Sequence, residues 1–111
     1  MQYMLLIYND PKVEEEAEMA EWFAYTNELQ EAGVLVGGEP LDAVENAVTV
    51  RVRNGETIST KGPFAETTEV LGGYYCVEVD SMEAAEKWAA KLPSVRYGSV
   101  EVRLIPPVPE M

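Results

Sequence analysis

Side chains that could carry chemistry recur at every second position in two short segments of the chain. Tyr74, Cys76 and Glu78 belong to the first segment, and Glu101 and Arg103 to the second. Residues two apart on a strand share one face. Arginine can hold an anionic group through two parallel hydrogen bonds, and glutamate or tyrosine can move protons. The pattern predicts a pocket for a small polar or anionic molecule, with Arg103 as the clamp and Glu101 or Tyr74 as acid or base.

A second interpretation of the same residues involves no chemistry. Glu101 and Arg103 can pair with each other on a partly wet sheet surface and so order a dimer. Arg51 and Arg53 come from another alternating segment and could join the same face. The residues alone leave both interpretations open.

Several other chemistries are excluded or disfavoured by residue type. The chain has no histidine, which removes serine–histidine and cysteine–histidine catalysis and most metal sites built on imidazole. Cys76, the one cysteine, lies in an apolar strand, which is typical of a buried thiol rather than a nucleophile. The Gly37-Gly38 and Gly72-Gly73 pairs match no phosphate-binding loop. We therefore expect neither a metal site nor a cofactor.

The charge of the chain limits its partners and location. Twenty acidic and eight basic residues give a net charge of −12, which argues against nucleic acids and anionic membranes. The excess suits either solubility or an acidic docking face for a basic partner. A lone cysteine forms no internal disulfide, and the apolar start of the chain stops at Asn9-Asp10-Pro11, too early for a signal segment or a membrane span. These features predict a cytoplasmic protein.

Hydrophobic periodicity predicts the elements that position these side chains. The apolar run 2–8 suits a central strand, and Met19, Trp22, Phe23, Thr26 and Leu29 form one stripe of a helix over about 13–32. The later elements are a short strand at 34–36, a hairpin over 46–60 turning at Asn54-Gly55, a loop over 61–71, a strand at 74–79, a helix opened by an Asp80–Glu83 capping box and ended by Pro93, and a strand at 97–105.

This order predicts one α+β domain over 1–111, with a proline-rich tail at 106–111. The arrangement is a ferredoxin-like βαββαβ fold with an inserted β-hairpin. Both helices of such a fold cover one face of the sheet. Because strand 2–8 has no polar face to offer water, we expect a second subunit to cover the other side, which predicts a homodimer.

The segment Lys61-Gly62-Pro63-Phe64-Ala65-Glu66-Thr67 resembles the motif that names the DGPF branch of the YCII-related family. Further matching segments, in the same order along nearly the whole chain, are Tyr3–Tyr8, Ala32–Val34, Glu69–Tyr75, Ala84–Ala89 and Gly98–Arg103. The resemblance implies a dimeric α/β barrel. It also implies a sigma factor as a protein partner, because some members occur beside or fused to extracytoplasmic-function sigma factors.

What the resemblance implies about activity is limited. Some YCII-related proteins are thought to be enzymes that use a histidine–aspartate pair, and this chain has no histidine for that role. We expect a small-molecule-binding or regulatory dimeric module with a cleft between its subunits. The alternative is a histidine-independent enzyme, lyase- or isomerase-like, acting on a small polar or anionic metabolite.

The motif loop departs from the family pattern at its start. Lys61 stands where the motif has aspartate; if that aspartate were catalytic the activity would be lost, whereas a turn-capping aspartate would matter little. Phe64 either packs the loop down or, with Glu66 and Thr67, forms the rim of the cleft. The predicted ligand-binding set is Arg103, Glu101, Tyr74, Glu78, Arg53, Phe64, Glu66 and Thr67.

Overall fold

Two helices and two antiparallel sheets make up the computed structural model, which describes residues 1–65 and 67–109. The elements in chain order are β1 (Gln2–Asn9), α1 (Met19–Glu31), β2 (Leu35–Pro40), a 3-10 turn (Val44–Asn46), β3 (Val48–Arg53), β4 (Glu56–Lys61), β5 (Val70–Glu78), α2 (Met82–Ala90) and β6 (Ser99–Ile105). The larger sheet has the order β2-β5-β1-β6, with every neighbour antiparallel. The α+β class is confirmed, and the strand order is consistent with the ferredoxin-like arrangement.

The core lies between the two helices and one face of the larger sheet. Its buried residues are Tyr3, Leu5, Ile7, Tyr25, Leu29, Val77, Val79, Ala85, Ala89 and Leu92. Leu5, at the centre of β1, is fully buried. The small side chains of Ala85 and Ala89 let α2 approach the sheet closely. Neither helix of the described chain has the length and apolar character that crossing a membrane requires.

Tyr25 connects the two helices to the sheet. Its ring packs edge-on against Tyr75 at a centroid distance of 5.3 Å and against Trp88 at 6.4 Å. The Tyr25 hydroxyl donates a hydrogen bond of 2.8 Å to the Trp88 carbonyl oxygen. Burial raises the pKa of Tyr25 above its ordinary value, so the hydroxyl keeps its proton for this bond.

The orientation of α1 differs from the predicted one. Met19 and Phe23 were expected in the core stripe, but they are 66% and 63% exposed, so that part of the prediction was wrong. Tyr25 is buried instead, because residues 22, 25 and 29 also follow helical spacing and this face meets the sheet. The helix begins only at Met19, where a capping box joins Glu18 and Glu21.

The observed boundaries of other elements differ from the predicted ones by a few residues. The side chain that caps α2 belongs to Ser81, whose Oγ accepts a hydrogen bond from the Ala84 amide, and not to Asp80 as predicted. The glycine pairs lie within β2 and β5, whereas the predicted strands covered 34–36 and 74–79 and left both pairs outside. Both strands are therefore longer than predicted.

The β3–β4 hairpin forms a sheet of its own. Its Asn54-Gly55 turn has φ angles of 53° and 78°, which confirms the predicted two-residue connection. Arg53 is exposed on this hairpin, and the Arg51 guanidinium lies 5.5 Å from the centre of the Phe64 ring. These two arginines consequently do not belong to the four-stranded sheet that carries Arg103.

The contact between β2 and β5 depends on the absence of a side chain at Gly38. A Cβ atom there would lie 2.7 Å from the Tyr74 carbonyl oxygen and 2.9 Å from Tyr75 Cδ1. The neighbouring Gly37 has no atom within 4 Å of the equivalent position. Gly38 is thus required by close packing, whereas Gly37 is not.

We predict that Gly38→Ala destabilises the fold by about 1–3 kcal/mol, the usual cost of forcing a methyl group into a packed region. Gly37→Ala is the matched control, and its free energy of unfolding should stay within about 0.5 kcal/mol of the parent value. Urea denaturation followed by circular dichroism measures both. Equal effects of the two substitutions would contradict the packing argument.

Candidate functional site

The face of the larger sheet opposite the helices, here called the open face, carries the polar side chains singled out in the sequence. Residues directly paired across antiparallel strands share a face. The pairs on this face are Leu6 with Tyr74 and Glu101, Met4 with Cys76 and Arg103, and Gln2 with Glu78 and Ile105. Tyr74, Glu78, Glu101 and Arg103 therefore lie on one surface. Tyr74 and Glu101 flank Leu6 two strand spacings apart, or about 10 Å.

Glu101 has a hydrogen-bond partner other than arginine. The Tyr8 hydroxyl donates to Glu101 Oε1 at 3.2 Å. Desolvation, together with this bond and the nearby Glu101 charge, raises the pKa of Tyr8. Among the ion pairs of the described residues, none joins Glu101 to Arg103. The open face thus presents a tyrosine–carboxylate pair and an arginine beside it.

Cys76 lies on the same face and is nearly covered. Its side chain is 9% exposed, and its Sγ lies 3.9 Å from Gln2 Oε1. Burial, and secondarily the charge of Glu78, raises the pKa of the thiol. A high pKa lowers the fraction of thiolate, which is the nucleophilic form. The geometry agrees with the expected buried thiol.

A cavity of about 460 Å³ lies on the opposite side of the sheet, between α1 and the strands β2 and β5. Its side chains include the aromatic residues Trp22, Phe23, Tyr75 and Tyr97. Met19 and Phe23, which are exposed on α1, belong to its lining. Gly38, Gly72 and Gly73 leave room on the sheet side, because they carry no side chains.

Polar groups are few in this cavity. The Thr26 Oγ1 atom lies 2.9 Å from the Trp22 carbonyl oxygen and 2.8 Å from the Tyr75 hydroxyl oxygen. Glu15 also lines the cavity, whereas Glu39 pairs with Tyr74, so that its carboxylate belongs to the open face. None of the described lining residues is lysine or arginine. The cavity therefore combines an aromatic, largely apolar wall with one hydroxyl pair and one carboxylate.

A second cavity, of about 560 Å³, lies under the motif loop beside Tyr8 and Leu71. Phe64 and Thr67 line it, so the structure brings these two predicted residues together. Phe64 is 77% exposed and does not pack the loop onto the core. Glu66, predicted for the same rim, lies outside the described residues. Lys61 ends β4 opposite Val48, with its side chain exposed.

The sequence did not point to the cavity beside α1. Trp22 and Thr26 were assigned to an apolar core stripe, and Tyr75 to the helix side of its strand. One signal was present: a threonine within an otherwise apolar helical stripe places a hydroxyl where no core residue needs one. Within residues 1–65 and 67–109, no group of three or more histidine, cysteine or carboxylate side chains converges as a metal site.

Fold and cavities together define a small α+β protein with a ligand-sized space beside its first helix. Comparison with known proteins supplies the family: the YCII-related domain matches residues 1–109, and the chain belongs to that family. It is also similar to an uncharacterized protein of Rhizobium meliloti strain 1021. The two are 38% identical over 112 residues, which covers 93% of this chain and 90% of that protein.

We predict that Cys76 reacts with the disulfide reagent DTNB at least about 100-fold more slowly in the native protein than in urea. Burial hinders access to the sulfur, and the raised pKa keeps the thiol protonated at neutral pH. Absorbance of the released thiolate at pH 8 gives both rates. A native rate close to that of the unfolded chain would show an accessible, reactive thiol.

Proposed function

We propose that this YCII-related protein, as a member of the DGPF branch, is a small-molecule-binding module that works as a homodimer. The observation that carries the binding role is the aromatic cavity between α1 and the sheet. Its volume of about 460 Å³ falls within the range of about 300–1,000 Å³ typical of ligand pockets. Apolar walls with a small number of fixed polar groups are also typical of such pockets.

The open face supports the dimer. Met4 and Leu6 lie at its centre and are only half-buried within one chain. A second copy placed against this face would remove their apolar surface from water and close a dimeric α/β barrel. Because the cavity beside α1 lies on the other side of the sheet, this association leaves it accessible.

The polar residues of the open face then take a second role in the proposal. Arg103, Glu101, Tyr74 and Glu78 would line the cleft between subunits, where a small polar or anionic molecule can bind. Phe64 and Thr67 lie at the cavity under the motif loop, at one end of this face. Arg53 lies on the separate hairpin, and its part in the cleft depends on how the second subunit sits. The proposal also includes a sigma-factor partner, on the ground of family resemblance, and a cytoplasmic location, on the ground of composition.

The binding role takes precedence over the histidine-independent lyase- or isomerase-like enzyme. Glu101 is exposed and already accepts a hydrogen bond from Tyr8. Neither of the two cavities described above includes Glu101 or Arg103 in its lining. The observations therefore favour recognition over catalysis.

The cavity role predicts that small aromatic fragments bind beside Trp22. In a Trp88→Phe variant, Trp22 is the sole tryptophan, and its fluorescence should change on titration with a binding fragment. A fragment at 100 times its dissociation constant should add about 2.7 kcal/mol to the free energy of unfolding. The reciprocal variant Trp22→Phe keeps Trp88, which lies outside the cavity lining and should report no change. A fragment library that leaves Trp22 unaffected would refute the cavity role.

The dimer predicts that Leu6→Arg separates the subunits, because it places an unpaired charge in a buried apolar contact. Sedimentation at micromolar concentration should give a dimer for the parent protein and a monomer for this variant. Gln30→Arg adds the same charge on the exposed side of α1 and should stay dimeric. A parent protein that sediments as a monomer would refute the proposed association.

A further inference from the structure

The protons of the Thr26–Tyr75 hydroxyl pair can be assigned from its contacts. A threonine hydroxyl has one proton to donate, and a backbone carbonyl oxygen only accepts. The bond of 2.9 Å from Thr26 Oγ1 to the Trp22 carbonyl uses the threonine proton. The contact of 2.8 Å between the two hydroxyls must then use the proton of Tyr75. Within the cavity the Tyr75 oxygen consequently has only lone pairs left, and it can accept a hydrogen bond but not donate one.

The charges around the cavity favour cations. Glu15 lines it, and no described lining residue is basic. Residues 1–50 build α1, β1 and β2 and hold eleven acids against one base. Arg96 lies next to Tyr97, but its guanidinium is bound by Glu21 at 3.0 Å. A concave surface surrounded by one sign of charge attracts ligands of the other sign.

The aromatic lining is compatible with the same ligand class. The faces of tryptophan, tyrosine and phenylalanine rings attract cations, and their hydrocarbon surface packs against an apolar body. One lining ring already carries such a contact, since the Arg96 guanidinium lies 5.8 Å from the centre of Tyr97. Aromatic walls, a nearby carboxylate and an acceptor-only hydroxyl all favour a cationic hydrogen-bond donor.

We infer that this cavity binds a protonated organic amine, with the ammonium group donating to the Tyr75 oxygen and an apolar or aromatic body lying along Trp22 and Phe23. The inference rests on the proposed small-molecule role of the cavity and adds the ligand class. It separates this site from the arginine-bearing open face, whose chemistry suits anions. One chain would then bind cations on one side of its sheet and anions on the other.

Four probes of similar size test the ligand class at pH 7. They are 2-phenylethylammonium, its N,N,N-trimethyl derivative, 2-phenylethanol and 3-phenylpropionate. Fluorescence of Trp22 in the Trp88→Phe variant reports on this cavity and gives each dissociation constant there. The primary ammonium should bind about tenfold more tightly than the alcohol, because hydrogen bonds to charged groups are the stronger kind, and the carboxylate should bind most weakly.

Two variants of the hydroxyl pair identify the contact. Tyr75→Phe removes the acceptor and should weaken binding of the primary ammonium about tenfold. Binding of the trimethyl derivative, which has no N–H group, should change less than about twofold. Thr26→Val frees the Tyr75 proton, so the preference for the primary ammonium over the carboxylate should fall. Tyr8→Phe removes a tyrosine hydroxyl from the opposite face and serves as the matched control, with the affinity of the cavity for the primary ammonium unchanged.

The outcomes separate this inference from the proposed function. If the alcohol and the carboxylate bind as tightly as the ammonium, the ligand class is refuted while the cavity remains a binding site. If aromatic fragments bind beside Trp22 but none of the four probes does, the ligand class is again refuted and the cavity remains a binding site. If neither fragments nor probes bind, both the ligand class and the cavity role are refuted. If Tyr75→Phe weakens binding of the trimethyl derivative as much as binding of the primary ammonium, the proposed hydrogen bond to Tyr75 is refuted.

Discussion

The strand Gln2–Asn9 carries apolar side chains on both of its faces, and this constraint organises the molecule. Tyr3, Leu5 and Ile7 are buried under the helices, while Met4 and Leu6 face the other way. Apolar surface on both sides of a central strand requires cover on both sides. Among residues 1–65 and 67–109, only one side is covered, by α1 and α2. The two candidate sites follow from this asymmetry, since one lies under a helix and the other on the uncovered face.

The cavity beside α1 results from how that helix meets the sheet. Tyr25 fixes the helix through its packing on Tyr75 and its bond to the Trp88 carbonyl oxygen. This contact leaves Met19 and Phe23 exposed near the start of the helix, where Gly38 and its neighbours place little bulk on the sheet. The packing of Tyr25 therefore explains both the close contact at the middle of α1 and the open space at its start.

The sequence predicted the sheet better than the sites. Each side chain of a strand points to one of only two faces of the sheet. The shared face of Tyr74, Glu101 and Arg103 could therefore be derived once the strands were placed. A helix offers several overlapping stripes, and choosing Tyr25 over Phe23 required knowledge of how α1 packs. The cavity could not be derived either, because it depends on the distance between a helix and glycine-bearing strands. Arg53 was a candidate for the same face and lies on the separate hairpin, because alternation does not reveal which sheet a strand joins.

The hairpin has a consequence for self-association. Val48, Val50 and Val52 are 62%, 60% and 59% exposed on a two-stranded ribbon. Exposed β-branched residues on strands with unpaired edges are a template for further strands. Arg51, Arg53 and Lys61 interrupt this ribbon with positive charge in a chain whose net charge is −12. Positive charges on two copies of the hairpin repel each other, so these bases disfavour edge-to-edge pairing of identical hairpins.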